Sequence, residues 1–182
     1  MARLPYLDKS DLKPEDQDLL KREITLHKAL VNSPGAARAF SGLGQYIRYG
    51  AKLDPRLREL AILQVGWLAR SPYEWSHHVK IGYDFGVTDE DIEALKAETR
   101  GEATALDPLA RLVLRAAREI FAGPGIGYET FAALRAALEN DAIVDLTVTA
   151  SFYCAVVRVL ASLEVDVEDS YMPYLRKHPF PI

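Results

Sequence analysis

With 182 residues and a hydrophobic content of 49%, the chain is long enough to bury one core, or two halves sharing one, and is expected to be a soluble, globular single domain over 1–182. A formal net charge of -4, a pI near 5.6 and scattered Lys and Arg residues exclude the electrostatic footprint of a nucleic-acid binder. One cysteine, Cys154, excludes an intramolecular disulfide, and its apolar neighbourhood predicts a buried, inert thiol.

Residues 1–13 contain no apolar stretch of the kind a secretory signal needs, so a cytoplasmic location is expected. Pro14 and Glu15 open a first predicted helix running to about Leu30. Ser33-Pro34 is a cap followed by a proline suited to a first turn, which predicts a second helix from Gly35 to about Tyr49. The same signal recurs at Asp54-Pro55, for a third helix to Ala69 or Arg70, and at Ser71-Pro72, for a fourth that stops at Gly86. Thr88 with Asp91 resembles a capping box and predicts a fifth helix through Glu98. Pro108 begins a sixth that Gly123-Pro124-Gly125 terminates, and Tyr128 to Glu139 reads as a seventh.

The last long element, from Asp141, alternates apolar and polar residues between Val144 and Phe152 as a half-buried strand would. Its length and the lack of any partner strand favour a helix. The tract Ala142 to Leu163 is interrupted by Asp145 and Arg158, and its uncharged part falls short of the roughly 20 residues a bilayer span requires, so a core helix is predicted. The aromatic and proline-rich tail, 164–182, is expected to be extended and packed on the body or on a neighbouring subunit. The whole is all-α, a helical bundle of about eight helices.

The most informative stretch is Ser71-Pro72-Tyr73-Glu74-Trp75-Ser76-His77-His78. On a helix Ser71, Glu74 and His78 share one face, continued by Ile81, Gly82 and Phe85 and flanked by Trp75 and Val79. A carboxylate and an imidazole aimed at a core cost on the order of several kcal/mol if unpaired, which marks them as a candidate site. His77 lies about 100° around the helix, with Lys80 and Asp84, and is expected in solvent. Adjacent histidines diverge, no HExxH spacing occurs, and no metal is expected. Arg158 interrupts the most apolar helix; it either pairs with Glu59, Glu74 or an anionic substrate, or reaches an exposed edge. Tyr153 either lines the same cavity or packs in the core. Tyr46, Tyr49, His27 and His178 have no chemical context in the sequence.

Leu53-Asp54-Pro55-Arg56-Leu57-Arg58-Glu59-Leu60-Ala61-Ile62-Leu63, then Tyr73 to His78, then Gly86-Val87-Thr88-Asp89-Glu90-Asp91-Ile92, resembles the carboxymuconolactone decarboxylase family over residues 53–95. The resemblance implies an all-helical alkylhydroperoxidase-D-like fold and a homo-oligomer, trimer or hexamer. In the hydroperoxidase branch a glutamate and a histidine relay protons to a CxxC pair. Glu59 and His78 match the relay, but Ser71 and Glu74 stand at the two cysteine positions. A hydroxyl and a carboxylate supply neither the thiolate nor the resolving sulfur that peroxide reduction by this route needs.

The decarboxylase branch, as the resemblance implies, acts on a small carboxylated lactone with no metal and no cofactor. The reading is therefore a lyase or isomerase acting on a small organic acid or lactone. His78 is its acid/base and Glu74 orients His78 or shares its proton. Glu59 either tunes that pair or forms a salt bridge or helix cap. Ser71, Trp75, Arg158 and Tyr153 are candidate substrate-binding residues, with helix capping the alternative for Ser71 and packing for Trp75. The competing readings are an alkylhydroperoxidase-like antioxidant and a non-catalytic oligomeric ligand-binding protein. No nucleic-acid or membrane partner is expected.

Overall fold

The computed structural model describes residues 2–181, and among these it contains nine α-helices and three 3-10 segments with no strand. The helices are α1 (Thr25–Leu30), α2 (Pro34–Tyr49), α3 (Pro55–Leu68), α4 (Pro72–Asp84), α5 (Asp89–Thr99), α6 (Pro108–Ala122), α7 (Tyr128–Ala137), α8 (Asn140–Leu163) and α9 (Met172–Lys177). Each start of α3 to α6 is set by a side-chain cap. Asp54 accepts from the Leu57 amide at 3.0 Å, Ser71 from Glu74 at 3.4 Å, Thr88 from Asp91 at 3.2 Å and Asp107 from Ala110 at 2.8 Å. Asp91 returns the bond to the Thr88 amide, completing a capping box. Gly86, at φ +89°, ends the turn after α4 in a backbone region that costs glycine little.

Helix α3 is the centre. Residues 57–66 are all buried, because α4, α5, α6 and α8 pack around it. Leu60, Leu63 and Val65 are fully enclosed with Trp75 of α4, Leu114 of α6 and Leu146 of α8. By length and composition α8 could cross a membrane, yet half of that stretch is buried within the protein. Its polar alternation has a local explanation. Buried Asp145 accepts from the Tyr46 hydroxyl at 2.7 Å and the Lys52 amide at 2.6 Å, and Thr147 donates to the Ile143 carbonyl at 2.8 Å.

Two segments differ from the sequence expectation. The predicted helix over 14–30 divides into a 3-10 segment, Pro14–Leu20, and the short α1. The Thr25 amide bonds to the Glu168 carboxylate at 2.7 Å instead of a helical carbonyl, and His27 Nδ1 takes the Arg22 carbonyl at 3.1 Å, so the ladder cannot run through. The tail is not extended throughout: it forms a 3-10 turn, Asp169–Tyr171, and α9, since Pro173 sits in a first turn that needs no amide donor.

The tail is fastened by its last turn. Trp75 Nε1 donates to the His178 carbonyl at 2.7 Å, and the His178 ring lies 3.0 Å from both Asp89 and Glu93. The Phe180 ring stacks on Trp67 at 5.2 Å. Phe180→Ala is expected to lower stability by about 1–2 kcal/mol, less than a fully buried phenylalanine would, as measured by urea unfolding.

Candidate active site

Helices α3 and α4 bring Glu59, Glu74 and His78 together, all at 5% exposure or less. His78 sits between the carboxylates, with Nδ1 2.7 Å from Glu59 Oε2 and Nε2 3.0 Å from Glu74 Oε1. Behind them Arg58, also buried, donates to Glu59 Oε1 from Nε at 3.1 Å and from Nη2 at 3.0 Å. Its Nη1 donates to the Arg48 carbonyl at 3.1 Å, and its guanidinium covers the Phe85 ring at 4.5 Å. Charges therefore alternate along Arg58, Glu59, His78 and Glu74. Burial alone would drive the imidazole to neutrality, but Glu59 and then Glu74 outweigh it and raise the His78 pKa above its ordinary 6.5. Burial pushes Glu59 the other way from its final balance: the positive charges of His78 and Arg58 hold its carboxyl below 4.5.

A cavity of about 90 Å³ opens beside this centre. Tyr73, Glu74, His77 and His78 of α4 form one wall, and Phe152, Tyr153 and Val156 of α8 a second. Phe40, Arg48 and neighbours on α2 form the third, while Arg22, Ile24, Leu26 and His27, in and after the helix break, close the rim. Tyr153 meets His78 edge-on at 5.0 Å, and burial pushes its phenol well up, so the hydroxyl stays protonated. Both ring nitrogens of His78 are occupied by carboxylates, which leaves that imidazole no lone pair for a metal.

Several sequence expectations place differently. Arg158 is exposed, lies over the Phe121 ring at 5.7 Å and does not line the cavity; its side chain leaves α8 on the solvent side. Ser71 is the cap of α4, and Trp75 is committed to the His178 carbonyl and to Trp67 at 5.0 Å, so neither reaches the cavity. Glu59 stands behind His78, outside the lining. His77 is buried, not solvated. The folded-back tail sandwiches its ring between Tyr73 at 4.0 Å and Tyr171 at 3.5 Å, with Nε2 2.7 Å from Glu168 Oε2. Burial lowers the His77 pKa despite Glu168. The Glu168 carboxyl, although burial opposes its charge, is brought down to about 2 by His77 and the Thr25 amide. Cys154 is half-buried rather than enclosed, its thiol pushed up by burial, and it lies outside the cavity.

Arg58, Arg48, Arg22 and His27 escaped sequence reasoning. Arg58 alone left a signal, a cation beside Glu59 inside an apolar helix; the others reach the cavity only through the helix break and the approach of α2.

Fold and site define an all-helical protein whose buried Glu-His-Glu centre faces a small cavity. Residues 34–119 match the Carboxymuconolactone decarboxylase family. Over that stretch the chain is similar to the carboxymuconolactone decarboxylase family, and its fold is the all-α one of AhpD-like proteins. No curated protein matches it. Among solved structures it is similar to an uncharacterized peroxidase-related protein with an alkylhydroperoxidase AhpD core from Ralstonia eutropha JMP134, at 16% identity and TM-score 0.79, covering 96% of this chain and 95% of that one. It is similar also to the debrominase Bmp8 in complex with 2,3,4-tribromopyrrole, at 17% identity and TM-score 0.80, covering 97% and 99%. A protein of unknown function from Agrobacterium tumefaciens matches at 22% identity and TM-score 0.66, covering 76% and 94%.

The charged centre predicts a pH signature. Because the folded His78 pKa is raised, its contribution to stability is complete below about 6.5 and is lost as pH rises through the raised value. Because the folded Glu59 pKa is lowered, its contribution is present above about 4.5 and is lost as pH falls through the lowered value. The stability advantage of the wild type over His78→Gln, on the order of 2–4 kcal/mol by urea unfolding, should peak between these pH values and shrink on both sides.

Proposed function

We propose that the protein is a cofactor-free enzyme that moves a proton on a small organic acid or lactone, as a decarboxylase or an isomerase. The observation that carries this reading is the contact of His78 Nε2 with Glu74 Oε1 at 3.0 Å on the wall of a cavity. Since Glu59 and Glu74 occupy both imidazole nitrogens, protons reach the cavity through the Glu74 carboxyl, recharged by His78. Glu59 and Arg58 hold the imidazolium in place. In a decarboxylation the carbon–carboxylate bond breaks and CO2 leaves. Its electron pair moves into an adjacent carbonyl, whose oxygen the Tyr153 hydroxyl stabilises, and Glu74 then protonates the carbon. In an isomerisation the Glu74 carboxylate removes a proton from the carbon next to that carbonyl and returns it elsewhere. The ring-sized ligand of Bmp8 supports a substrate of comparable size.

A peroxide-reducing reading has less support, because no cysteine lines the cavity. With carboxylated lactones and keto acids as substrates, Glu74→Gln and His78→Gln are each expected to lower kcat/KM by about 10²- to 10⁴-fold, with a smaller loss in Glu59→Gln. Full turnover in His78→Gln would sink the proposal. So would thiol-dependent peroxide consumption that Cys154→Ser abolishes. Ligand binding without turnover would mark a non-catalytic binding protein.

The same reading takes the protein as a cytoplasmic homo-oligomer without nucleic-acid or membrane partners. Exposed Leu43, Tyr46 and Tyr49 on α2 and Val144 on α8 support an apolar contact between copies. Light scattering is expected to return three or six times 20.3 kDa; the monomer mass would overturn it.

A further inference from the structure

The acid–base centre leaves two cations on the cavity wall unexplained. Arg22 in the helix break and Arg48 in the last turn of α2 are half-buried and line the cavity. Neither side chain has a hydrogen-bond or ion-pair partner among the described residues. The contrast is with the other arginines that are not exposed: Arg56 and Arg58 meet carboxylates and Arg118 donates to the Gln64 side-chain oxygen at 3.1 Å. Arg22 and Arg48 line the cavity together with His27, whose pKa is lowered by burial first and then by these two cations, with Glu168 acting weakly in the opposite sense. The Arg22 carbonyl can only accept, so His27 Nδ1 carries the proton in that 3.1 Å contact and Nε2 remains an acceptor. The Arg48 backbone is in turn tied to the proton-handling centre, since its carbonyl accepts from Arg58.

A guanidinium does not shed its charge, and two of them without partners at a cavity with phenylalanine walls are held at a cost that an anion would offset. We propose that Arg22 and Arg48 form an anion-binding pole that anchors the carboxylate of a small ring-bearing or short-chain acid, with the reacting carbon at Glu74 and His78. The proposal rests on the acid–base reading for its second half only. Phe40 and Phe152, with ring centroids 4.7 Å apart, supply apolar wall in the same cavity. A carboxylate held by a forked donor is stabilised in the ground state, so the anchored group is retained through the reaction. Any CO2 lost comes from a second carboxyl nearer Glu74. Neutral lactones and neutral hydroperoxides lack the anchor and are excluded as preferred ligands.

The test is a titration of the intact protein with 2-furoate and with its neutral analogue 2-furamide, followed by amide chemical shifts. The wild type is expected to bind 2-furoate at least about tenfold more tightly, and less so at high salt. Arg22→Gln/Arg48→Gln should lose that preference while keeping the wild-type circular dichroism. Arg158→Gln, exposed and outside the cavity, should keep it. Equal binding of the two probes, persistence of the preference in the double variant, or no binding of either at millimolar concentration would each overturn the anchor. His78→Gln should retain the preference, so failure of the acid–base chemistry reads out in turnover and failure of the anchor in binding.

Discussion

The structure depends on one buried line of alternating charge, from Arg58 through Glu59 and His78 to Glu74. Each member is almost wholly withdrawn from water, and each is tolerable only because the next is in hydrogen-bond contact. Removing Glu59 leaves Arg58 without a carboxylate, and removing His78 leaves Glu74 without its cation. The line also constrains packing: Glu59 must face His78, which sets how α3 and α4 align.

From that alignment the chemistry of the cavity follows. Its wall presents a carboxyl in contact with an imidazole, and also Arg22 and Arg48, which carry no ion pair among the described residues. Aromatic rings and a protonated tyrosine line the same cavity. The same fold carries proteins described as peroxidase-related and as a debrominase, at identities of 16% and 17%, so the fold leaves the reaction open and the side chains on the cavity must specify it.

The C-terminal tail is part of this construction. Glu168 accepts from the Thr25 amide and hydroxyl and contacts His77 Nε2, so a single carboxylate breaks the first helix and holds the α4 wall. The break is what turns Arg22, Ile24, Leu26 and His27 toward the cavity. Tail, rim and α4 are thus joined through one carboxylate, although about 140 residues of chain separate Thr25 from Glu168.

Local chemistry made much of this legible beforehand. Asp54, Ser71, Thr88 and Asp107 precede helices because their side chains bond the first free amides, an effect of neighbours in sequence. Glu74 and His78 share a face for the equally local reason of helical repeat. His77 and the tail read wrongly because their environments come from distant chain: Tyr171 and Glu168 bury His77; of the two positions the sequence left open for Arg158, the fold decides for the exposed edge. The sequence by itself determined the helices, their caps and the residues able to exchange a proton. Only the tertiary structure decided which charges neutralise one another and which stay free at the cavity, because a buried charge is defined by partners that packing brings from elsewhere in the chain.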